Sequence, residues 1–417
     1  MQLHIKKSVV TKNSSIKITG SKSETNRLLL LQALYPNLIL QNSSKSDDSD
    51  VMTTAVLAND NSKTVDIHHA GTAMRFLTAF FAIQEGRETI LTGSSRMKER
   101  PIKILVDALN QLGANISYDE KEGYPPIRIQ GKKIINNKVS LPANVSSQYI
   151  SALLLIASKL ENGLQLTLEG EMTSVPYIKM TLALLNEIGI ETSFESQTIK
   201  VNAKSQTNNS NSKEINPQNI VIESDWSSAS YFYSIVALAE DGTTITLSSY
   251  KKNSLQGDSV LAQIYIDFGV KTVFNDNQSI TISKVTANDQ NPKEYDLKSA
   301  PDIAQTIAVT CFGLGIGCHL TGLHTLKIKE TDRLEALKTE LSKLGAKVSV
   351  TQDTLTLQAS QKINKNIEIK TYQDHRMAMA FAPLALKVPI TINEAEVVSK
   401  SFPTFWTDLK AIGFELK

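Results

Sequence analysis

The feature that most narrows the folds open to this 417-residue chain is an internal repeat. Five times a helix-like segment ends in an apolar residue, a glycine, one further residue and then a strand: QLGANIS, NEIGIETSF, DFGVKTVF, KLGAKVSV and AIGFELK. The glycines are Gly113, Gly189, Gly269, Gly345 and Gly413, at intervals of 76, 80, 76 and 68 residues. A glycine just past a helix end takes the left-handed conformation that lets the chain reverse into a strand. Upstream of each lies an alternating strand followed by a polar loop: TILTGSSRMKERP, LQLTLEGEMTSVP, TTITLSSYKKN, CHLTGLHTLKIKE and VPITINEAEVVSKSFP, with NLILQNSSKSDDSD as a sixth and earliest copy. Six small-residue apolar helices precede those strands, opening at GSKSETNRLLLL, GTAMRFLTAF, SSQYISALLL, DWSSASYFYSI, PDIAQTIAVT and DHRMAMAFAPLAL. The chain therefore reads as six units that alternate helix and strand. A solenoid is the lesser reading, because solenoid repeats are more uniform and run to roughly 20 to 50 residues. The Ser/Asn-rich stretch from Ser205 to Asn219 has the composition of an exposed insertion and marks the approach to a boundary between two three-unit halves.

Charge and cysteine content bound the function. With 44 Lys+Arg against 42 Asp+Glu the net charge is +2, and no long basic run is present, so a dedicated nucleic-acid surface is not expected. Any anion should be met by a focused site. The two cysteines, Cys311 and Cys318, share one apolar run and offer neither a disulfide framework nor a zinc pattern, which fits a reducing compartment. The opening MQLHIKKSVV is strand-like and charged, and the apolar stretches fall short of the ~18 residues that span a bilayer. Secretion and membrane insertion are not expected, and a cytoplasmic location is.

Polar residues crowd the beginnings of the six helices. Lys22, Ser23, Asn26 and Arg27 open the first, Gly71, Thr72 and Arg75 the second, and Ser146, Ser147 and Gln148 the third. Asp302 begins the fifth, and Asp374, His375 and Arg376 the sixth. A helix start leaves N–H groups unsatisfied and carries roughly half a positive charge, a seat for phosphate or carboxylate, although Ser, Thr and Asp there are often plain caps. The loops add Arg96, Lys98, Arg100, Lys329, Arg333 and Lys400. Arginine's planar fork matches carboxylate and phosphate oxygens, and lysine acts as a movable point charge. Glu330 stands between Lys329 and Arg333, neighbours that hold a carboxylate ionised for work as a base or charge partner. No metal-ligand spacing, GxxxxGK loop or dinucleotide GxGxxG appears, and GLGIG at Gly313–Gly317 reads as close packing within a helical run.

Taken in order, GSKSETNR, HHAGTAMRFL, GSSRMKERP, VSSQYISALL, SVPYI, SAPDIAQTIA, IKETDR, YQDHRMAMA and SKSFPTFW resemble the motifs of the 5-enolpyruvylshikimate-3-phosphate synthase family, from Lys22 to Trp406. The resemblance implies an α/β fold, a two-domain inside-out α/β barrel whose domains each hold three similar βαβαββ-like units. The first domain would comprise residues 1–20 and 226–417, the second residues 21–225, with the active site in the cleft between them. It implies transfer of the enolpyruvyl group of phosphoenolpyruvate to the 5-hydroxyl of shikimate 3-phosphate with release of phosphate, by a monomer using no cofactor and no metal. By similarity, Lys22, Ser23, Arg27, Ser146, Ser147, Gln148, Ser174, Tyr177, Asp302, Thr325 and Lys329 would meet shikimate 3-phosphate. Lys22, Gly71, Arg96, Gln148, Arg333, Arg376 and Lys400 would meet phosphoenolpyruvate. Asp302 would take the hydroxyl proton, with Glu330 and Lys22 serving protonation of the methylene carbon. Glyphosate occupies the phosphoenolpyruvate site in this family, and Gly71, lacking a Cβ, is expected to leave room there.

Some positions depart from the family pattern. His69 stands where Asn is usual, Phe76 where Pro follows AGTAMR, Thr325 where Asn often contacts shikimate, and Trp226 where a small residue precedes SSASYF. The rivals are the related UDP-N-acetylglucosamine enolpyruvyltransferase, a non-catalytic phosphate-sugar binding protein on the same scaffold, and an RNA-end-modifying enzyme of similar architecture. The first typically needs a reactive loop cysteine, and both cysteines here sit in CFGLGIGC. The second predicts loss of Asp302 or Glu330, and both are present. The third would need a broader basic face.

Overall fold

The repeated glycines turn the chain as their spacing predicts. In the computed structural model, which describes residues 1–57, 63–170, 172, 175–204, 217–286 and 291–417, all five have φ between 74° and 108°. Gly113 is the left-handed cap of the Lys103–Leu112 helix, and the chain leaves it for the Asn115–Tyr118 strand. A side chain in that conformation would press against the backbone. Most of the stretch expected as an insertion, residues 205–216, lies outside the described residues.

One repeat can be followed from Thr64 to Gln130. The strand Thr64–Asp66 leads into the Gly71–Ala82 helix, which returns to Glu88–Thr92 in parallel with the first strand. The Lys103–Leu112 helix follows, and a hairpin of Asn115–Tyr118 and Ile127–Gln130 completes the sheet, with Ile127–Gln130 antiparallel to Glu88–Thr92. Parallel neighbours need a crossover, and the helix that makes it is pressed onto one face of the sheet. The same βαβαββ order runs from Lys138 to Val201 and from Lys293 to Leu357. A further repeat begins with Ser14–Ile16, whose parallel partner Thr244–Leu247 comes more than two hundred residues later. The chain divides accordingly into two compact units, Met1–Gly20 with Glu223–Lys417, and Ser21–Ile222.

Each unit has its own core, and its helices fill it. In Ser21–Ile222 the helices Lys22–Leu34, Gly71–Ala82 and Ser147–Ala157 pack on one another. In the other unit Trp226–Leu238, Ala304–Leu314 and His375–Phe381 do the same. Beyond their opening turns these helices are almost wholly apolar or small, which suits burial all round. The sheets lie outside them and alternate: in Leu164–Glu169, Leu164, Leu166 and Leu168 face inward while Gln165 and Thr167 are partly exposed. A fully buried leucine such as Leu28 or Leu30 contributes roughly 1.5–3 kcal/mol by leaving water.

Two details of the sequence reading need correction. The CFGLGIGC run is not helical throughout, since the helix ends at Leu314 and Cys318 opens a strand. Gly313 does serve packing, because a Cβ there would come within 3.0 Å of Leu238 and Leu384, but Gly315 is the helix cap, with φ 78°. Trp226, the unusual residue before SSASYF, is fully buried in its unit, where its indole N–H donates to Glu223 Oε1 at 2.8 Å and its ring meets Tyr250 edge-on at 4.8 Å. We predict that Trp226→Ala lowers the unfolding free energy by about 3–5 kcal/mol through the cavity it leaves. Trp226→Phe, which keeps most of the volume but removes one donor to a buried carboxylate, should cost about 1–3 kcal/mol. Urea denaturation of the three proteins measures both, and a loss below ~1 kcal/mol for the alanine variant would show that the ring is not part of the core.

Candidate active site

In four of the central helices one residue alone is not buried, and each time it is the second: Thr72, Gln148, Ser227 and Arg376. The same position in the Pro301–Ile303 turn that leads into Ala304–Leu314 is Asp302, and in Lys22–Leu34 it is Ser23, with Lys22 beside it. In these four helices only the start is open to solvent, so chemistry has to be carried there.

In the unit containing Glu223–Lys417 these starts gather around one guanidinium. Arg333, only 2% exposed, donates from Nε to Asp374 at 2.6 Å, from Nη1 to Asp302 at 2.8 Å and from Nη2 to Glu330 at 2.7 Å. The second oxygen of Asp302 lies 3.3 Å from Arg376 Nη2, and Lys329 Nζ stands 3.6 Å from Oδ1. Burial by itself draws Arg333 down and pushes Asp374 up, but Asp374, Glu330 and Asp302 more than offset it at Arg333, which is raised above the ordinary arginine value and stays charged. The cap of its turn is Ala300, and the Asp302 carboxylate meets two arginines. Asp374 does cap its helix, accepting from the Arg376 N–H at 2.8 Å while its other oxygen holds Arg333. A further carboxylate, Asp258, is buried in the same unit and accepts a hydrogen bond from Ser227. Burial, with Asp302 next in weight, pushes Asp258 up to about 7.

The Ser21–Ile222 unit presents a different chemistry. Arg27 is 2% exposed and donates to Thr181 at 2.8 Å, Ser151 at 2.9 Å, Ser23 O at 2.7 Å and Tyr177 O at 3.4 Å. Burial lowers it to about 10, so it remains a cation at neutral pH. Phe76 lies beneath it, ring centroid 5.4 Å from the guanidinium carbon, so the phenylalanine in place of Pro packs against Arg27. Tyr177 is 5.8 Å away on the same terms. Lys22 Nζ meets Asp48 at 3.2 Å. Ser146 caps the Ser147–Ala157 helix, and Gln148 donates its amide to Thr72 at 3.1 Å. Arg75, 3% exposed and lowered to about 10 chiefly by burial, donates to Gly71 O, Pro101 O and Met97 Sδ, and has no carboxylate partner among the described residues.

The space expected over Gly71 is filled. A Cβ built there collides with the Arg100 guanidinium, with Nη2 at 2.9 Å and Cζ at 3.0 Å. His69, beside this turn, is exposed and shares a hydrogen bond with Ser94 at 2.8 Å. Arg96 and Lys98 form surface pairs with Glu99 and Glu120, each at 2.8 Å. Lys400 donates to Gln373 O at 2.9 Å, and Thr325 Oγ1 is buried without a partner. Ser147 is buried at its helix start, and Ser174 lies outside the described residues. Sequence reading left Asp48, Asp258 and Ser227 unassigned and named Asp374 only as a helix start. Ser227 alone had a signal, its repeat position.

Because the atoms that crowd Gly71 are the far end of a flexible side chain, we predict that Gly71→Ala costs about 1 kcal/mol of stability. In an Arg100→Ala background the same change should cost under ~0.5 kcal/mol. Denaturation of the four proteins of this cycle decides it, and equal losses in both backgrounds would show that Arg100 does not carry the effect.

A family model described as EPSP synthase (3-phosphoshikimate 1-carboxyvinyltransferase) matches residues 54–409. A 3-phosphoshikimate 1-carboxyvinyltransferase of Bacteroides fragilis (strain YCH46) is 44% identical over 412 residues, 97% of this chain and 96% of that protein. One of Histophilus somni (strain 2336) is 35% identical over 431 residues, covering 96% of each. Among solved structures, an EPSP synthase from Acinetobacter baumannii shares the fold with a TM-score of 0.78 at 20% identity, over 100% of this chain and 99% of that one. The enolpyruvyl transferase NikO from Streptomyces tendae does so with a TM-score of 0.74 at 12% identity, over 100% and 98%. With a family model covering most of its length and relatives well above 30% identity across nearly all of it, the chain belongs to the EPSP synthase family.

Proposed function

We propose that Asp302 is the base and Glu330 and Lys22 the proton-handling groups of this enzyme. It transfers the enolpyruvyl group of phosphoenolpyruvate to the 5-hydroxyl of shikimate 3-phosphate and releases phosphate. The observation that carries the assignment is the placement of Asp302: at a helix start, with Arg333 on one carboxylate oxygen and Arg376 on the other. A carboxylate held between two guanidiniums is fixed in direction and ionised, which is what a base for a hydroxyl proton requires. The methylene carbon must be protonated before the hydroxyl adds, and a lysine ammonium carries that proton at neutral pH. Phosphate then leaves under cationic stabilisation, a task suited to Arg333, Arg376, Arg96 and Lys400, with Gly71 and Gln148 meeting the same substrate.

On the same reading Ser23, Arg27, Ser146, Ser147, Ser174, Thr325 and Lys329 hold the phosphate and hydroxyls of shikimate 3-phosphate, Tyr177 lies against its ring, and Gln148 touches both substrates. The two units act as domains serving one reaction, the protein works as a monomer, and its compartment is the reducing cytoplasm. Two buried thiols accord with that compartment. No helix among the described residues is long and apolar enough to cross a membrane. The UDP-N-acetylglucosamine reading fares worse, because Cys311 and Cys318 are 0% and 2% exposed and burial pushes the Cys311 thiol well up.

Phosphate release from phosphoenolpyruvate should therefore require shikimate 3-phosphate and not proceed with UDP-N-acetylglucosamine. Asp302→Asn should depress turnover at least ~100-fold while both KM values change far less. Near-normal turnover in that variant would exclude Asp302 as the base.

A further inference from the structure

The six second positions of the helix starts carry Ser23, Thr72, Gln148, Asp302, Arg376 and Ser227. Four of these are assigned above to substrate, and Thr72 receives the amide of one of those four. Ser227 is the remaining one. Its hydroxyl donates to Asp258, a carboxylate 6% exposed at the start of the Gly257–Val260 turn. Asp258 in turn interacts electrostatically with Asp302 and Arg376, the groups proposed above for chemistry and phosphoenolpyruvate.

We propose that Ser227 is a further substrate-contacting residue, whose oxygen accepts a hydrogen bond from a ring hydroxyl of shikimate 3-phosphate, and that Asp258 is the positioning residue that aims it. A serine hydroxyl is one donor and two acceptor lone pairs. Spending the donor on Asp258 leaves the lone pairs of the oxygen as acceptors, matched to a hydroxyl and mismatched to a phosphate oxygen. A burial cost for Asp258 is sustained beside the like charge of Asp302, and a plain helix cap does not explain it, since Asp225 already caps that helix by accepting from the Ser228 N–H at 2.8 Å. The proposal rests on the reading of the site given above.

The aim depends on the charge of Asp258. The groups acting on it are Asp302 and Asp225, which raise it, Arg376 and Ser227, which lower it, and burial, which raises it most, to about 7. As pH falls through that value the carboxylate gains a proton and becomes a donor, the Ser227 hydroxyl is free to turn, and the acceptor is lost. The efficiency toward shikimate 3-phosphate should therefore fall below pH ~7, in addition to any limb near pH ~6 from the substrate's own phosphate.

The test uses the full chain, once the wild type has shown turnover with both substrates. A wild type without turnover would sink the activity itself, a separate outcome. Ser227→Ala should raise KM for shikimate 3-phosphate roughly 3- to 10-fold, with KM for phosphoenolpyruvate within ~2-fold of wild type. Ser227→Thr, which keeps the hydroxyl, should restore it. Asp258→Asn should remove the limb near pH 7 and leave the limb near pH 6. Ser227 is partly exposed, so its variants report even where Asp258→Asn folds poorly. Unchanged KM values in Ser227→Ala, or equal rises for both substrates, would overturn the proposal, as would a limb near pH 7 that survives in Asp258→Asn.

Discussion

The structure of the Glu223–Lys417 half depends on one guanidinium with three carboxylates around it. Arg333 is buried, and a buried arginine without partners would be prohibitively costly. Asp374, Asp302 and Glu330 each accept one of its N–H groups within 2.8 Å, and each comes from a different part of the chain or a different turn. A planar fork with donors fixed in three directions can do this, whereas a lysine ammonium cannot hold three carboxylates in set orientations. The consequence is that Asp302, proposed as the base, Glu330, proposed for proton handling, and Asp374, the cap of the His375–Phe381 helix, are aligned by a single group. Disturbing that group should therefore affect fold and chemistry together.

The repeat explains where such a group can sit. Apolar helices packed three to a unit leave no polar face along most of their length, and in four of the six the one open residue is the second, in the first turn where the backbone N–H groups lack partners within the helix. Evolving a site on this architecture means changing those second residues and the loops beside them. The Ser21–Ile222 unit has neutral hydroxyl and amide groups there, Ser23, Thr72 and Gln148, backed by buried Arg27 and Arg75. The other unit has Asp302, Arg376 and Ser227. The division is chemical: neutral groups backed by buried arginines stand at the helix starts of one unit, and charged groups with a serine at those of the other.

Much of this was legible in the sequence, for reasons that can be named. The five glycines mark helix ends because a left-handed residue is needed there, and the six inner helices are visible as small apolar runs. The residues at their starts stood out because polar groups at the edge of an apolar run are costly unless they have work. Long-range pairing was not legible. Nothing in IKETDR says that Arg333 would reach Asp374, 41 residues on, or that Asp48 would hold Lys22, and nothing in GSSRMKERP says which cation would lie on Gly71 and which would pair on the surface. Arg96 and Lys98 were read with the site and are paired with Glu99 and Glu120. Those choices are made by tertiary distances that no local pattern encodes, and the same is true of Asp258, whose motif carries no periodic or capping signal.

The central claim is that geometry, more than charge, makes Arg333 indispensable. Arg333→Lys tests it most directly, with turnover measured by phosphate release and stability by denaturation. Lysine keeps the positive charge but supplies one point rather than a fork, so the account predicts that turnover falls at least ~100-fold and that stability drops by about 3–5 kcal/mol as two of the three carboxylates lose their partner. A lysine variant that keeps most of its turnover would show that a positive charge alone suffices and that Asp302 and Glu330 are aligned by something else.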